Sequence, residues 1–249
     1  MSIIKTKSFN LAIYSRGHSS ANKFALVLPG KLGTKDYPHM HSHVEYLAKK
    51  GFLALTFDPP GTWESPGDIS LYTMTNYILA ANELIELYGN KPTFIMGHSF
   101  GGAIALYVGL TNSSVTHFAQ VMSGISYKTG GHGEKADKEW QATGYRLSTR
   151  DMPINTNKTR EFRLPFSFEE DRINFDMTEQ LKKATKPKLF ILGKDDQLVK
   201  PSEVKSNYKL AAKPKELFEL EYGHDYRRNE KMINLVNKAI GNFLEKYSF

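Results

Sequence analysis

Thr93-Phe-Ile-Met-Gly97-His98-Ser99-Phe100-Gly101-Gly102 carries an apolar run straight into a segment, 100–110, whose apolar residues recur at three-to-four spacing. The run reads as a buried strand and the segment as a helix, so the chain must reverse sharply at Ser99. A strand-to-helix turn this tight holds its central residue in a strained backbone conformation and leaves no room for side chains two places before and after it. Gly97 and Gly101 supply that clearance, and Gly102 lets the helix pack closely on neighbouring strands. The turn also aims the Ser99 hydroxyl at the C-terminal edge of a sheet. It sets the Phe100 amide at a helix N-terminus, where an N–H is able to stabilise a developing negative charge.

The rest of the chain repeats the same rhythm. Apolar runs at 24–28, 52–57, 93–96, 118–122, 189–192 and 217–220 read as buried strands, and 9–14 alternates as an antiparallel edge strand would. Between them, 39–50, 72–88, 100–110, 202–211 and 229–246 have helical spacing, with Gly51 and Gly89 where C-terminal caps belong. Strands alternating with crossover helices predict an α/β protein with a mostly parallel central sheet flanked by helices. Residues 126–186 break the pattern with Gly130, Gly131, Gly133, two internal prolines and aromatic residues spaced among charges. They predict a small inserted cap, with 1–125 and 187–249 forming one core domain. A cap leaving the C-terminal edge of the sheet lies above Ser99. Its aromatic Trp140 and Phe166, with Trp63 from an earlier loop, are candidate pocket residues, packing being the commoner fate for Trp63.

A chain of 249 residues suits one such domain, and 40% hydrophobic with 24% charged residues is an ordinary globular composition. The absence of cysteine excludes disulfides, thiolate metal sites and a cysteine nucleophile. The first eleven residues hold Lys5 and Lys7 among alternating polar residues rather than the apolar run of a signal peptide or membrane span, which predicts a soluble, cytoplasmic protein. A formal charge of +7 is spread among nearly as many acids, so neither nucleic acid nor membrane is an expected partner. The densest lysine stretch, 182–215, reads as a solvated face.

Gly97-His-Ser99-Phe-Gly101-Gly102 resembles the nucleophile elbow of the α/β-hydrolase superfamily, in particular its compact bacterial esterases of the cinnamoyl or feruloyl type, and the resemblance extends over nearly the whole chain. It implies Ser99 as nucleophile, with an acid and a base following in that order. Gly193-Lys-Asp195-Asp196-Gln-Leu-Val199, just past a strand, is similar to the family's G-x-x-D-x-x-V segment and implies Asp196 as the acid, with Asp195 as competitor. Tyr222-Gly223-His224-Asp225 is similar to the family's G-H signature and implies His224 as the base. An imidazole suits that role because its ordinary pKa near 6.5 lets it take and return a proton near neutrality. The resemblance also implies Lys31, after Pro29-Gly30, as the second backbone donor of an oxyanion hole beside Phe100. Proline stands at 29 where the family usually has histidine. Asp58-Pro-Pro-Gly61-Thr-Trp63-Glu-Ser65 lacks the arginine and middle glycine of a related family turn.

Other residues compete weakly for chemistry. His98 points away from its neighbour's hydroxyl and is given a packing or hydrogen-bonding role. His39, His41 and His43 look like a ligand cluster, yet on a helix only His39 and His43 share a face, and no metal or other cofactor is expected. Arg146, Arg150, Arg160 and Arg163 offer anion contacts, although salt bridges to Asp151, Glu161, Glu169 and Asp171 are the default. The resemblance implies hydrolysis of small acyl or aryl-acid esters, with a small-molecule ester as the partner and a homodimer admitted beside a monomer. The same three residues would serve a thioesterase, amidase or serine peptidase, and a catalytically silent ligand-binding protein is the alternative from another class. A dehalogenase would need aspartate in place of Ser99.

Overall fold

A computed structural model describes residues 2–127 and 134–249. Gly130, Gly131 and Gly133 of the interrupted segment lie outside the described residues. In chain order the elements are β1 (Ser2–Lys5), β2 (Asn10–Arg16), β3 (Phe24–Leu28), α1 (Pro38–Lys49), β4 (Leu53–Phe57), α2 (Met74–Leu87), β5 (Thr93–His98), α3 (Phe100–Thr111) and β6 (Val115–Val121). There follow α4 (Glu134–Thr143), β7 (Tyr145–Asp151), β8 (Thr159–Pro165), α5 (Ser167–Arg172), α6 (Thr178–Lys183), β9 (Lys188–Gly193), α7 (Pro201–Leu210), β10 (Lys215–Leu220) and α8 (Glu230–Lys246).

Eight strands form one sheet in the order β1-β2-β4-β3-β5-β6-β9-β10. The six from β4 to β10 run parallel, and β2 and β1 join antiparallel at one side. Every residue of β3, β4, β5 and β9 is buried, because helices cover both faces of a parallel sheet, and this is why those strands read as unbroken apolar runs. Helix α1 packs against α8 and α2 against α3. Nearly all of α3 is buried, which accounts for its weak amphipathicity. Gly51 and Gly89 follow α1 and α2 with φ of +84° and +87°, the left-handed conformation that ends a helix.

Two expectations need correction, and one hairpin left no sequence signal. The strand at 9–14 is antiparallel but not the edge, since β1 lies outside it, paired from Ser2↔Ile13 to Lys5↔Asn10. Largely exposed, β1 is held by its backbone ladder and leaves no apolar pattern to read. The inserted segment contains a separate hairpin, β7 with β8, whose mostly exposed residues hide the two-residue period. The lysines of 182–215 are not all solvated. Lys188 is fully buried, and its ammonium donates to the carbonyls of Ala184, Ala212 and Pro214 at 2.9, 2.9 and 3.1 Å. Burial, then repulsion from Lys215, lowers its pKa to about 8. Lys186 and Lys215 bond backbone carbonyls in the same way. These ammonium groups terminate loops and helix ends rather than presenting charge to a partner.

Candidate active site

The chain leaves β3 for β4 on one side and returns to β5 on the other, so the crevice between the C-terminal ends of β3 and β5 is a topological switch point, the usual ligand position in such sheets. Ser99 sits there, with φ 53° and ψ −122°. A non-glycine residue in this region is strained, and the turn is held by the Ser99 amide, which donates to Val121 O at 2.8 Å, and by Gly102 N–H bonding Ser99 O at 2.8 Å. A Cβ on Gly97 would meet Gly102 N at 2.7 Å and Gly101 still closer. One on Gly101 would lie 2.8 Å from Leu28 C and closer to the Leu28 and Pro29 oxygens. The two glycines thus let the elbow fold back on itself and pass against the β3 loop.

The structure brings Ser99, Asp196 and His224 together. His224 Nε2 lies 3.0 Å from Ser99 Oγ and Nδ1 lies 2.7 Å from Asp196 Oδ2. Asp196 follows β9, and its carboxylate is buried, with Oδ1 accepting the Leu198 and Val199 amides at 2.8 and 2.9 Å. Burial alone would raise its pKa, but the imidazole and these amides hold it below the usual carboxylate range. Asp195 is exposed on the same turn and does not reach the ring. The accepting carboxylate fixes the proton on Nδ1 and leaves Nε2 as an acceptor for the serine hydroxyl.

The Lys31 loop stands beside the elbow, since a Cβ on Gly30 would touch Ser99 Cβ at 3.4 Å. Sequence reasoning missed what holds it. Tyr77 OH donates to Pro29 O at 3.0 Å, Tyr72 OH accepts Leu32 N–H at 2.9 Å, and Arg150 Nε donates to Lys31 O at 2.9 Å. The peptide on either side of Lys31 is therefore clamped. Among the described residues, neither the Lys31 nor the Phe100 amide donates to a protein acceptor. Both tyrosines lie on or just before α2, where their rings look like ordinary core; no sequence signal marks their hydroxyls.

The cleft above Ser99 has a volume of about 350 Å³, within the range of small-molecule sites. Its walls include Gly30, Lys31, Tyr37, His39, His98, Arg150, Leu198, His224 and Arg227. Trp63, Trp140 and Phe166 stand back from it, which corrects their assignment to the pocket. Trp63 stands where the similar family turn has its middle glycine and has a positive φ of 46°. Its indole donates to Leu32 O at 2.9 Å and packs edge-on against Tyr37 and Phe162, contacts that offset the strain. The Trp140 indole donates to Leu164 O, and its ring packs against Phe166 and Phe168. Aromatic residues favour such burial.

The default salt bridges also fail to form. Asp151 pairs with Arg227 and Arg228, Glu169 with Arg172, and Asp171 accepts the amide and hydroxyl of Thr75. Arg146, Arg160 and Arg163 lie over the rings of Trp140, Trp63 and Tyr145.

Behind the cleft His98 Nε2 donates to His224 O at 3.0 Å, steadying the histidine loop. His43 bonds Asn237 at 2.6 Å and Tyr226 at 3.0 Å, and His39 meets it with ring centroids 6.0 Å apart. His41 turns away and stacks on Tyr14. Burial pushes His43 down to about 4. Burial, then repulsion from His224, pushes His98 down to about 3. In the unfolded chain both titrate near 6.5, so below that pH the unfolded state binds protons that the fold refuses. Stability is whole above pH 6.5 and drains as pH falls toward 4. Thermal melts between pH 7 and pH 4 should show a falling Tm, with a shallower fall in His43→Gln; equal slopes would overturn this account.

A family model described as alpha/beta hydrolase fold matches residues 26–128. A search of curated proteins finds no match to the sequence. Among solved structures, alpha/beta hydrolase domain-containing protein 10 from mouse is 17% identical, with TM-score 0.78 over 99% of this chain and 98% of that one. Est1E from Butyrivibrio proteoclasticus, solved with ferulic acid bound, is 18% identical, with TM-score 0.75 over 99% and 98%. An enol-lactonase from Burkholderia xenovorans LB400 is 18% identical, with TM-score 0.73 over 98% and 100%. The chain has the α/β-hydrolase fold. Among the described residues no helix is long and apolar enough to cross a membrane.

Proposed function

We propose that the protein is a serine hydrolase cleaving carboxylic esters of small or aryl acids through an acyl-enzyme on Ser99. One observation carries the reading: a single imidazole bonds the elbow hydroxyl on one nitrogen and a buried carboxylate on the other. His224 Nε2 takes the Ser99 proton as Oγ attacks the ester carbonyl, and Asp196 stabilises the imidazolium that results. The carbonyl oxygen becomes an oxyanion facing the free amides of Lys31 and Phe100. Removing one such donor typically lowers a rate by about 10²–10³-fold, so the clamps on the Lys31 loop matter to the chemistry. The imidazolium then protonates the leaving alcohol, and water, deprotonated by the same ring, releases the acid. No step calls for a cofactor.

Residues 1–125 and 187–249 serve in this reading as the hydrolase core and 126–186 as a cap that reaches the cleft through Arg150. An esterase and a lactonase among the similar folds favour an oxygen ester over the thioester, amide or peptide bonds that the same three residues would open. A fluorophosphonate probe tests the reading, because it reacts only with an activated serine. Mass spectrometry should find the adduct on Ser99 and find none in Ser99→Ala. An unlabelled wild-type protein would favour a silent ligand-binding role instead.

A further inference from the structure

The charge lining the cleft is lopsided. Arg227 contributes a guanidinium, but Asp225 takes its Nε at 2.6 Å and Nη2 at 2.7 Å, and Asp151 lies 3.3 Å from Nη1. Arg150 is different. Its Nε donates to Lys31 O and its Nη1 to Thr149 O at 3.1 Å, both neutral acceptors, while Nη2 has no protein acceptor among the described residues. The acid next to it in sequence, Asp151, is committed to Arg227 and Arg228. A guanidinium stays charged at any physiological pH, so this wall of the cleft presents a fixed positive charge with an open donor edge.

Lys31 shares this wall but holds its ammonium behind the cleft, among rings that do not line it. Its ammonium has no hydrogen-bond or ion-pair partner among the described residues and lies over Phe168 and Trp140 at 4.9 and 5.5 Å from their ring centres. Burial, then repulsion from Arg172, lowers its pKa to about 7, a condition that a nearby anion would relieve. On another wall of the same cleft His39 is fully buried, and neither ring nitrogen finds a protein partner among the described residues. Unsatisfied polar groups of this kind disfavour an alkyl chain as occupant and favour a ligand with polar atoms.

We propose that the cleft selects esters whose acyl part carries a carboxylate, gripped by the free edge of Arg150 while the scissile carbonyl lies at Ser99. The assignment rests on the hydrolase reading above and deepens it. A carboxylate accepts the planar fork of arginine in a geometry that an ammonium does not reproduce, and a charge-assisted bond in a partly enclosed cleft is strong enough to select one substrate over a neutral analogue.

The test compares monomethyl with dimethyl esters of succinic, adipic and suberic acids, with acid release followed at constant pH. For at least one chain length the wild type should prefer the charged monoester in kcat/KM by about tenfold or more. Because Arg150 also holds Lys31 O, Arg150→Gln should slow both esters, yet the monoester-to-diester ratio should fall to near one. Loosening of the loop affects both esters alike and leaves that ratio where it was. Arg150→Lys should restore only part of the preference. A wild type indifferent to the charge, or a ratio unchanged in Arg150→Gln, overturns the proposal. If neither ester is cleaved and the fluorophosphonate probe also fails, the hydrolase reading falls by itself. Calorimetric titration of adipate against adipamide then decides the anion site, and equal binding of adipate by wild type and Arg150→Gln would refute it.

Discussion

Replacing Ser99 by alanine is expected to lower kcat on a p-nitrophenyl ester by roughly 10⁵–10⁶-fold, and His224→Ala should do nearly the same. The reason is geometric. A serine hydroxyl is inert at neutral pH unless its proton has somewhere to go as the new bond forms, and His224 Nε2 at 3.0 Å is the acceptor in place. Without the base the hydroxyl cannot deprotonate; without the hydroxyl the base has nothing to activate. The double variant should therefore lose no more than either single one, because the two groups act as a unit. Ser99→Ala removes only an oxygen at the cleft, so its Tm should stay close to that of the wild type, whereas His224→Ala leaves the buried Asp196 carboxylate without its imidazole and should lower the Tm. Additive losses would mean that Ser99 and His224 act in separate steps, and an active Ser99→Ala would move the chemistry elsewhere.

Much of this site was readable before any coordinates, for identifiable physical reasons. The central strands announce themselves because both faces are buried, leaving Phe24–Leu28 and Leu53–Phe57 without a polar residue other than Thr56. Ser99 and its flanking glycines are legible because the turn forbids side chains on either side. What escaped reading depends on which of several chemically equal residues the chain brings near. Asp196 is not among these, since the resemblance favours it over Asp195, and the turn after β9 buries it while exposing its neighbour. Tyr72 and Tyr77 look like core residues, and their rings are; their hydroxyls hold the Lys31 loop by bonds to backbone groups distant in sequence. The arginines of the inserted segment seem destined for adjacent acids, yet Asp151 turns to Arg227 and Arg228, more than seventy residues away in the chain. Pairing of exposed charges is worth little energy, so sequence proximity carries little information about it.

Gly97→Ala should disrupt both the fold and the site, because the added methyl meets the backbone of the elbow itself. Its Cβ would fall 2.7 Å from Gly102 N and nearer still to the Gly101 carbonyl, and all of these atoms belong to backbone. No side chain is available to swing aside, so relief requires the first turn of α3 to move away from β5. That movement breaks packing around a helix that is buried almost throughout, and a loss of about 3–5 kcal/mol is expected by chemical denaturation. Gly89→Ala is the matching control. It too introduces a methyl at a glycine, here with φ of +87°, but no atom lies within 4 Å of the new Cβ, so only the left-handed backbone penalty of about 1–2 kcal/mol remains. In whatever fraction of Gly97→Ala still folds, Ser99 Oγ is displaced from His224, and a shift of the order of 1 Å lowers the rate by about 10²-fold. Equal stability losses in the two variants would show that conformational freedom, rather than close approach, is what the elbow requires of its glycine. A stable Gly97→Ala with normal rate would mean that the strand and the helix are not locked together at Ser99.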